Sequence, residues 1–163
     1  ESATPGGSAA GKKQDIEDQY QQIRANLAAE IQMGLAEVEL KNDKIIVRLA
    51  SQGSFVSGSA DLQRGFIQLL SRVGDSLAAS KGKVRIEGHT DNVPVAFSER
   101  FNSNWDLSAA RSASVADFFI NNSGFSQGNM IVAGFADTKP IATNTTAAGR
   151  ARNRRIEVIV DGS

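Results

Sequence analysis

The sequence predicts an α/β (α+β) fold: a small mixed β-sheet in βαβαβ-β order with helices on one face, preceded by an N-terminal amphipathic helix. Three observations carry that expectation. β-Branched runs recur at residues 44–49, 83–88, 130–135 and 156–160, apolar stripes of helical period lie between the first three, and Gly, Asn or Ser clusters mark the junctions. The 163 residues suffice for one domain with a modest remainder. A hydrophobic content of 40% with 22% charge excludes a disordered chain.

Residues 1–13 open with ESATPGGSAAG, too small and polar to bury surface, and are expected to be a flexible tether. The start at Glu1, without the layout of a signal peptide, reads as a fragment or processed form. Residues 14–41 are expected to form one amphipathic linker helix. Ile16, Tyr20, Ile23, Leu27, Ile31, Leu35 and Val38 recur at steps of mostly three and four. That stripe either packs on its own domain or offers a seam to a partner helix.

The domain proper is expected over residues 42–163. After the Asn42-Asp43 turn signal, Lys44–Leu49 reads as a strand. A Gly/Ser-rich loop over 54–59 leads to a helix from near Ser59, with Leu62, Phe66, Leu69, Leu70, Val73 and Leu77 on one face and a stop at Lys81-Gly82. Lys83–Gly88 is the second strand and runs into His89-Thr90-Asp91. An irregular excursion, 92–105, precedes a helix capped at Asp106 or Ser108 with Val115, Phe118 and Phe119 inward. Met130–Phe135 is the third strand, and a Thr/Asn/Gly-rich loop with a short helix or turn leads to the last, Ile156–Val160.

The charges balance, 18 Lys+Arg against 18 Asp+Glu, so the basic excess that drives non-specific nucleic-acid binding is missing. No apolar run approaches the roughly 18–20 residues of a membrane-spanning helix. Cysteine is absent, which removes disulfides, thiolate metal sites and cysteine nucleophiles together. With one histidine, no G-x-S-x-G and no phosphate-binding glycine loop, the expectation is a non-enzyme without cofactor or metal; His89 and Asp91 alone make a thin ligand pair.

Two segments remain as candidates. Gly88-His89-Thr90-Asp91 ends a strand, where rigid structure can present side chains. Asn104–Arg111 starts a helix, whose N-terminal potential favours anions. Asp91 and Arg111 held close together would suit a ligand carrying both an ammonium and a carboxylate, the guanidinium gripping the carboxylate through paired hydrogen bonds. A plain Asp–Arg ion pair, or two solvated side chains, is the alternative. A third segment, Gly149–Arg155, holds four arginines in six positions; tying a loop to acids and carbonyls suits it better than nucleic acid, since no aromatic or further basic residue is near.

Four ordered motifs resemble the OmpA-like peptidoglycan-binding domain over about residues 45–160. They are Phe55-Val56-Ser57-Gly58-Ser59-Ala60-Asp61-Leu62, Glu87-Gly88-His89-Thr90-Asp91, Leu107-Ser108-x-x-Arg111 and Gly149-Arg150-x-x-Asn153-Arg154-Arg155. Ser103-Asn104-Trp105-Asp106-Leu107-Ser108 and the insertion Val93–Phe101 resemble, within that family, the periplasmic domain of flagellar motor stator B subunits of the MotB and PomB type. The resemblance implies a non-catalytic domain that binds the peptide stem of peptidoglycan through diaminopimelate and anchors the stator to the wall for motility and chemotaxis. A generic OmpA-like wall anchor of another envelope protein is the alternative.

It also implies Asp91 and Arg111 as the ligand-binding pair, Asn104 in support, and Thr90 with Arg150 or Arg154 lining the same site. The implied partners are the wall, a stator A subunit reached through a membrane segment, and basal-body ring proteins; the implied location is the periplasmic part of a single-pass inner-membrane protein. The insertion over 92–101 replaces a shorter loop of the family, so weaker or rearrangement-dependent binding is expected. Contacts worth about 1.5–3 kcal/mol each hold one stem loosely, which favours a homodimer acting through effective concentration. Residues Leu27, Ile31, Leu35 and Val38 are expected to detach with the linker helix, since converting roughly 20 residues from helix to extended chain gains on the order of 35 Å of reach.

Overall fold

A computed structural model of the chain describes residues 9–51, 54–56, 58–78, 82–95 and 100–161. Residues 1–8 of the expected tether, Ser57, Lys81 and positions 96–99 of the insertion lie outside them. The order is α1 (Ala9–Asn26), α2 (Ala28–Gln32), β1 (Ala36–Lys41), β2 (Lys44–Ala50), α3 (Arg64–Leu77), β3 (Val84–His89), α4 (Asn104–Asn122), β4 (Met130–Gly134), α5 (Ala147–Asn153) and β5 (Arg155–Asp161). The five strands form one mixed sheet in the order β1-β2-β5-β3-β4, with only β3 and β4 parallel neighbours. β2 and β3 both run antiparallel to β5 and hence parallel to each other, so α3 crosses over one strand position that β5 later fills.

The single helix expected over 14–41 is not what forms. The helix starts earlier, at Ala9, bends at Leu27 and ends at Gln32. Gly34 then takes φ +76°, a left-handed conformation that glycine tolerates without strain. From Ala36 the chain alternates Ala36, Val38 and Leu40 against Glu37, Glu39 and Lys41, which is strand periodicity. Asn42 and Asp43, at φ 54° and 61°, make the two-residue turn that pairs Lys41 with Lys44. Leu35 and Val38 therefore leave the helical stripe; Leu35 is exposed and Val38 belongs to β1.

Two other boundaries move. Phe55 bridges Leu62 and the Gln63 amide donates to the Ser54 carbonyl, and α3 begins only at Arg64. The second domain helix is capped by Ser103, whose hydroxyl accepts from the Asp106 amide, ahead of both expected caps, Asp106 and Ser108. Of the short helix or turn expected before the last strand, the helix forms, α5, capped by Thr146.

Alternation sorts the sheet into two unlike faces. Ile45, Val47 and Leu49 of β2, Val84 and Ile86 of β3, and Ile156, Val158 and Val160 of β5 join one core with Ile16, Ile23 and Leu27, with Phe66, Leu70, Val73 and Leu77 of α3, and with Val115 and Phe119 of α4. Ile23 and Leu27 are 0% exposed, each burial stabilising by about 1.5–3 kcal/mol, so the N-terminal helix covers its own domain. The opposite face carries charge. Arg48 pairs with Glu39 at 2.6 Å and Glu157 at 3.2 Å, Arg155 with Glu157 at 2.6 Å, and Arg85 with Glu87 at 2.6 Å.

Candidate functional site

Two glycines set the geometry of the site. Gly88 and Gly134 face each other in the β3–β4 register. A Cβ on Gly88 would run into the Ser108 carbonyl, and one on Gly134 into the Ala109 backbone. Their absence lets the N-terminal half of α4 lie directly on the sheet. Ser108 accepts the Ala136 amide at 3.1 Å, and Ser112 donates to the Ala133 carbonyl at 2.9 Å, fixing the helix there. The start of α4 is thereby held beside the end of β3, where Thr90 and Asp91 emerge.

Between these elements, the 54–63 loop and α5 lies a pocket of about 600 Å³. Its lining includes all six residues that the motifs singled out: Thr90, Asp91, Asn104, Arg111, Arg150 and Arg154. Asp91 is buried, and its carboxylate accepts from Arg154 Nη1 at 2.5 Å and from the Val93 amide at 2.9 Å. Thr90 donates to the Asp91 carbonyl, and Asn104 Nδ2 donates to the Val93 carbonyl at 3.0 Å. Asn104 thus shapes the 91–93 turn, a positioning task.

Arg111 is placed differently from the paired arginine. Its Nε donates to the Ser59 carbonyl at 2.8 Å, and its guanidinium lies 4.8 Å from the centroid of the Phe55 ring. No carboxylate pairs with it among the described residues. Burial, and then repulsion from Arg154, pull its pKa down to about 10. Arg150 donates to the Asn144 carbonyl at 2.9 Å. Chemically, the pocket offers one carboxylate, already taken, and cationic forks facing open volume.

Asp91 and Arg111 thus line one cavity, but Asp91 is turned to Arg154 and not held free for an ammonium. Residues 91 and 154 stand 63 positions apart, and no local spacing announces the pair. The roles of Phe55 beneath Arg111, and of Gln63 and Ser51 in the lining, were also missed. The motif around Phe55 was the available signal for the first. The other two arginines of the dense segment tie down structure: Arg152 reaches Glu37 at 3.4 Å, and Arg155 donates to the Lys139 and Asn153 carbonyls as well as to Glu157.

Among the described residues one cluster, Glu87, His89 and Glu157, brings potential metal ligands within 4.8 Å of one another. His89 Nε2 lies 3.2 Å from Glu87 and its ring stacks on Phe135. Arg48, Arg85 and Arg155 already neutralise both glutamates, so a cation there would meet three guanidiniums. Burial alone raises the Glu87 pKa, but hydrogen bonds and charge from His89 and Arg85 outweigh it and hold the group at about 2. The donor set suits a structural ion-pair lattice. No described helix is long and apolar enough to cross a membrane.

Comparison with known proteins gives these features a setting. The OmpA family model matches residues 54–154. Motility protein B of Bacillus subtilis (strain 168) is 31% identical over 125 residues, 76% of this chain and 48% of that protein, so the chain spans about half its length. The cell wall anchor of the T6SS from Pseudomonas aeruginosa superposes with a TM-score of 0.81 at 39% identity, covering 88% of this chain and 99% of that one. A MotB-like protein from Desulfovibrio vulgaris gives a TM-score of 0.87 at 25% identity over 94% of this chain and 95% of its own.

Proposed function

The chain belongs to the OmpA family, and from that membership we propose that it is a non-catalytic module that binds the peptide stem of peptidoglycan and fastens an envelope machine to the cell wall. The observation that carries the reading is the convergence of Asp91, Arg111, Arg150 and Arg154 on one open pocket built from rigid elements. A stem residue such as diaminopimelate carries carboxylates for the arginine forks and an ammonium that competes with Arg154 for Asp91. Holding needs no bond-making chemistry.

The machine we favour is the flagellar motor stator. The similarity to motility protein B and to the MotB-like protein, which extends over 94% of this chain, supports that choice. In this reading the domain works in the periplasm, as part of an inner-membrane protein and as a homodimer whose two sites raise retention. A second reading, an anchor for a secretion apparatus, is favoured by the 39% identity to the T6SS wall anchor.

Sedimentation with purified walls tests the shared claim. The chain is expected to co-sediment, and Arg111→Ala and Asp91→Asn to lose most of the bound fraction; full retention by both removes the site assignment. Fusion to the membrane part of a stator B subunit and, in parallel, exchange for the wall-anchor domain of a T6SS then separate the readings. Restored swimming in a stator-null strain supports the stator, and restoration of T6SS-dependent killing alone supports the secretion anchor.

A further inference from the structure

The pocket's charge does not balance, and the imbalance has a direction. Three guanidiniums, those of Arg111, Arg150 and Arg154, line it together with a single carboxylate, Asp91, among the described residues. Asp91 is committed to Arg154. Among the described residues Arg150 and Arg111 have only neutral partners, the carbonyls of Asn144 and Ser59 and the Phe55 ring. A half-buried cation whose partners are all neutral is unfavourable, and an anion entering the pocket relieves it.

Resting on the wall-binding reading above, we propose that this pocket selects peptidoglycan stems whose acidic groups are free carboxylates and rejects stems in which they are amidated. A carboxylate is acceptor-only and matches the guanidinium fork with two parallel hydrogen bonds. A carboxamide has nearly the same shape, yet it carries no charge and turns an NH2 donor toward the N–H donors of Arg111. The arginine is then left with one acceptor in place of two and with its charge uncompensated. The preference comes from the site's own unpaired donors, the arrangement that rejects an analogue lacking the matching group most strongly. The stem's ammonium contributes less, because it must displace Arg154 from Asp91 before it gains an ionic partner.

The test titrates the chain with synthetic L-alanyl-γ-D-glutamyl-meso-diaminopimelic acid and with the same peptide bearing a carboxamide at the side-chain carboxyl of its last residue. The free acid is expected to bind at least tenfold more tightly. Arg111→Gln is expected to bring the ratio close to one, and Arg111→Lys, which keeps charge without the fork, to leave an intermediate ratio. Equal affinities in the unsubstituted chain, with co-sedimentation on intact walls preserved, overturn the selectivity and leave wall binding standing. Failure to bind walls of either kind overturns both.

Discussion

Two clusters of arginine and carboxylate sit within a few residues of each other in this domain. On the open face of the sheet, Arg48, Arg85 and Arg155 meet Glu39, Glu87 and Glu157, and each guanidinium has an acid at 3.2 Å or less. Around the pocket, Arg111, Arg150 and Arg154 stand with one carboxylate, Asp91, which pairs with Arg154 alone among the described residues. Both clusters grow from the same strands, since β3 supplies Glu87 and then leads to Asp91, while Arg154 and Arg155 are adjacent. The difference is one of completion. A lattice whose charges are matched internally stabilises or registers the fold, whereas one left short of anions is complementary to something else.

The largest test of that contrast is Arg155→Ala. It removes three hydrogen bonds from a buried guanidinium, one to Glu157, which keeps Arg48 at 3.2 Å, and two to carbonyls, at an expected cost of about 3–5 kcal/mol in urea unfolding. Next comes acid. Glu87 is held at about 2 against an ordinary 4.5, so its contribution is fully present above pH 4.5 and is lost as pH falls through 2. The shift corresponds to stability on the order of 3 kcal/mol, and Glu87→Gln should flatten that limb of the stability–pH curve.

The pocket should respond in the opposite way. Arg111→Met is expected to weaken wall binding by roughly tenfold to a hundredfold. It should not lower the unfolding midpoint, since it removes a half-buried cation that lacks an acid and repels Arg154. A drop in stability as large as that of Arg155→Ala would erase the distinction. The smallest effect belongs to Arg152→Ala. Arg152 and Glu37 are both more than half exposed, and losing their pair should cost under about 1 kcal/mol with wall binding unchanged.

Much of this was legible in advance, for physical reasons that differ by element. β2, β3 and β5 announce themselves because β-branched residues crowd into short runs bounded by turn residues. β1 was hidden, because Leu35 and Val38 happen to continue the helical step while Ala36, Val38 and Leu40 alternate beneath it. Only the left-handed pair Asn42 and Asp43 discloses the hairpin, and only if the residues on both its sides are read as strands. The pocket residues were legible as a set because a strand end and a helix start are where rigid elements expose side chains. Their pairing was not, because Asp91 chooses between two arginines that are 20 and 63 positions away, and packing alone decides it.

The glycine pair between β3 and α4 has a mechanical consequence. Because Gly88 and Gly134 let the helix rest on the strands with no side chain between, the acid and the base of the cleft belong to one block. β3 in turn is paired along its length with β5, the middle strand, so load entering β3 or α4 would reach the centre of the sheet. Tension would then be shared by the ladder of strand hydrogen bonds acting together.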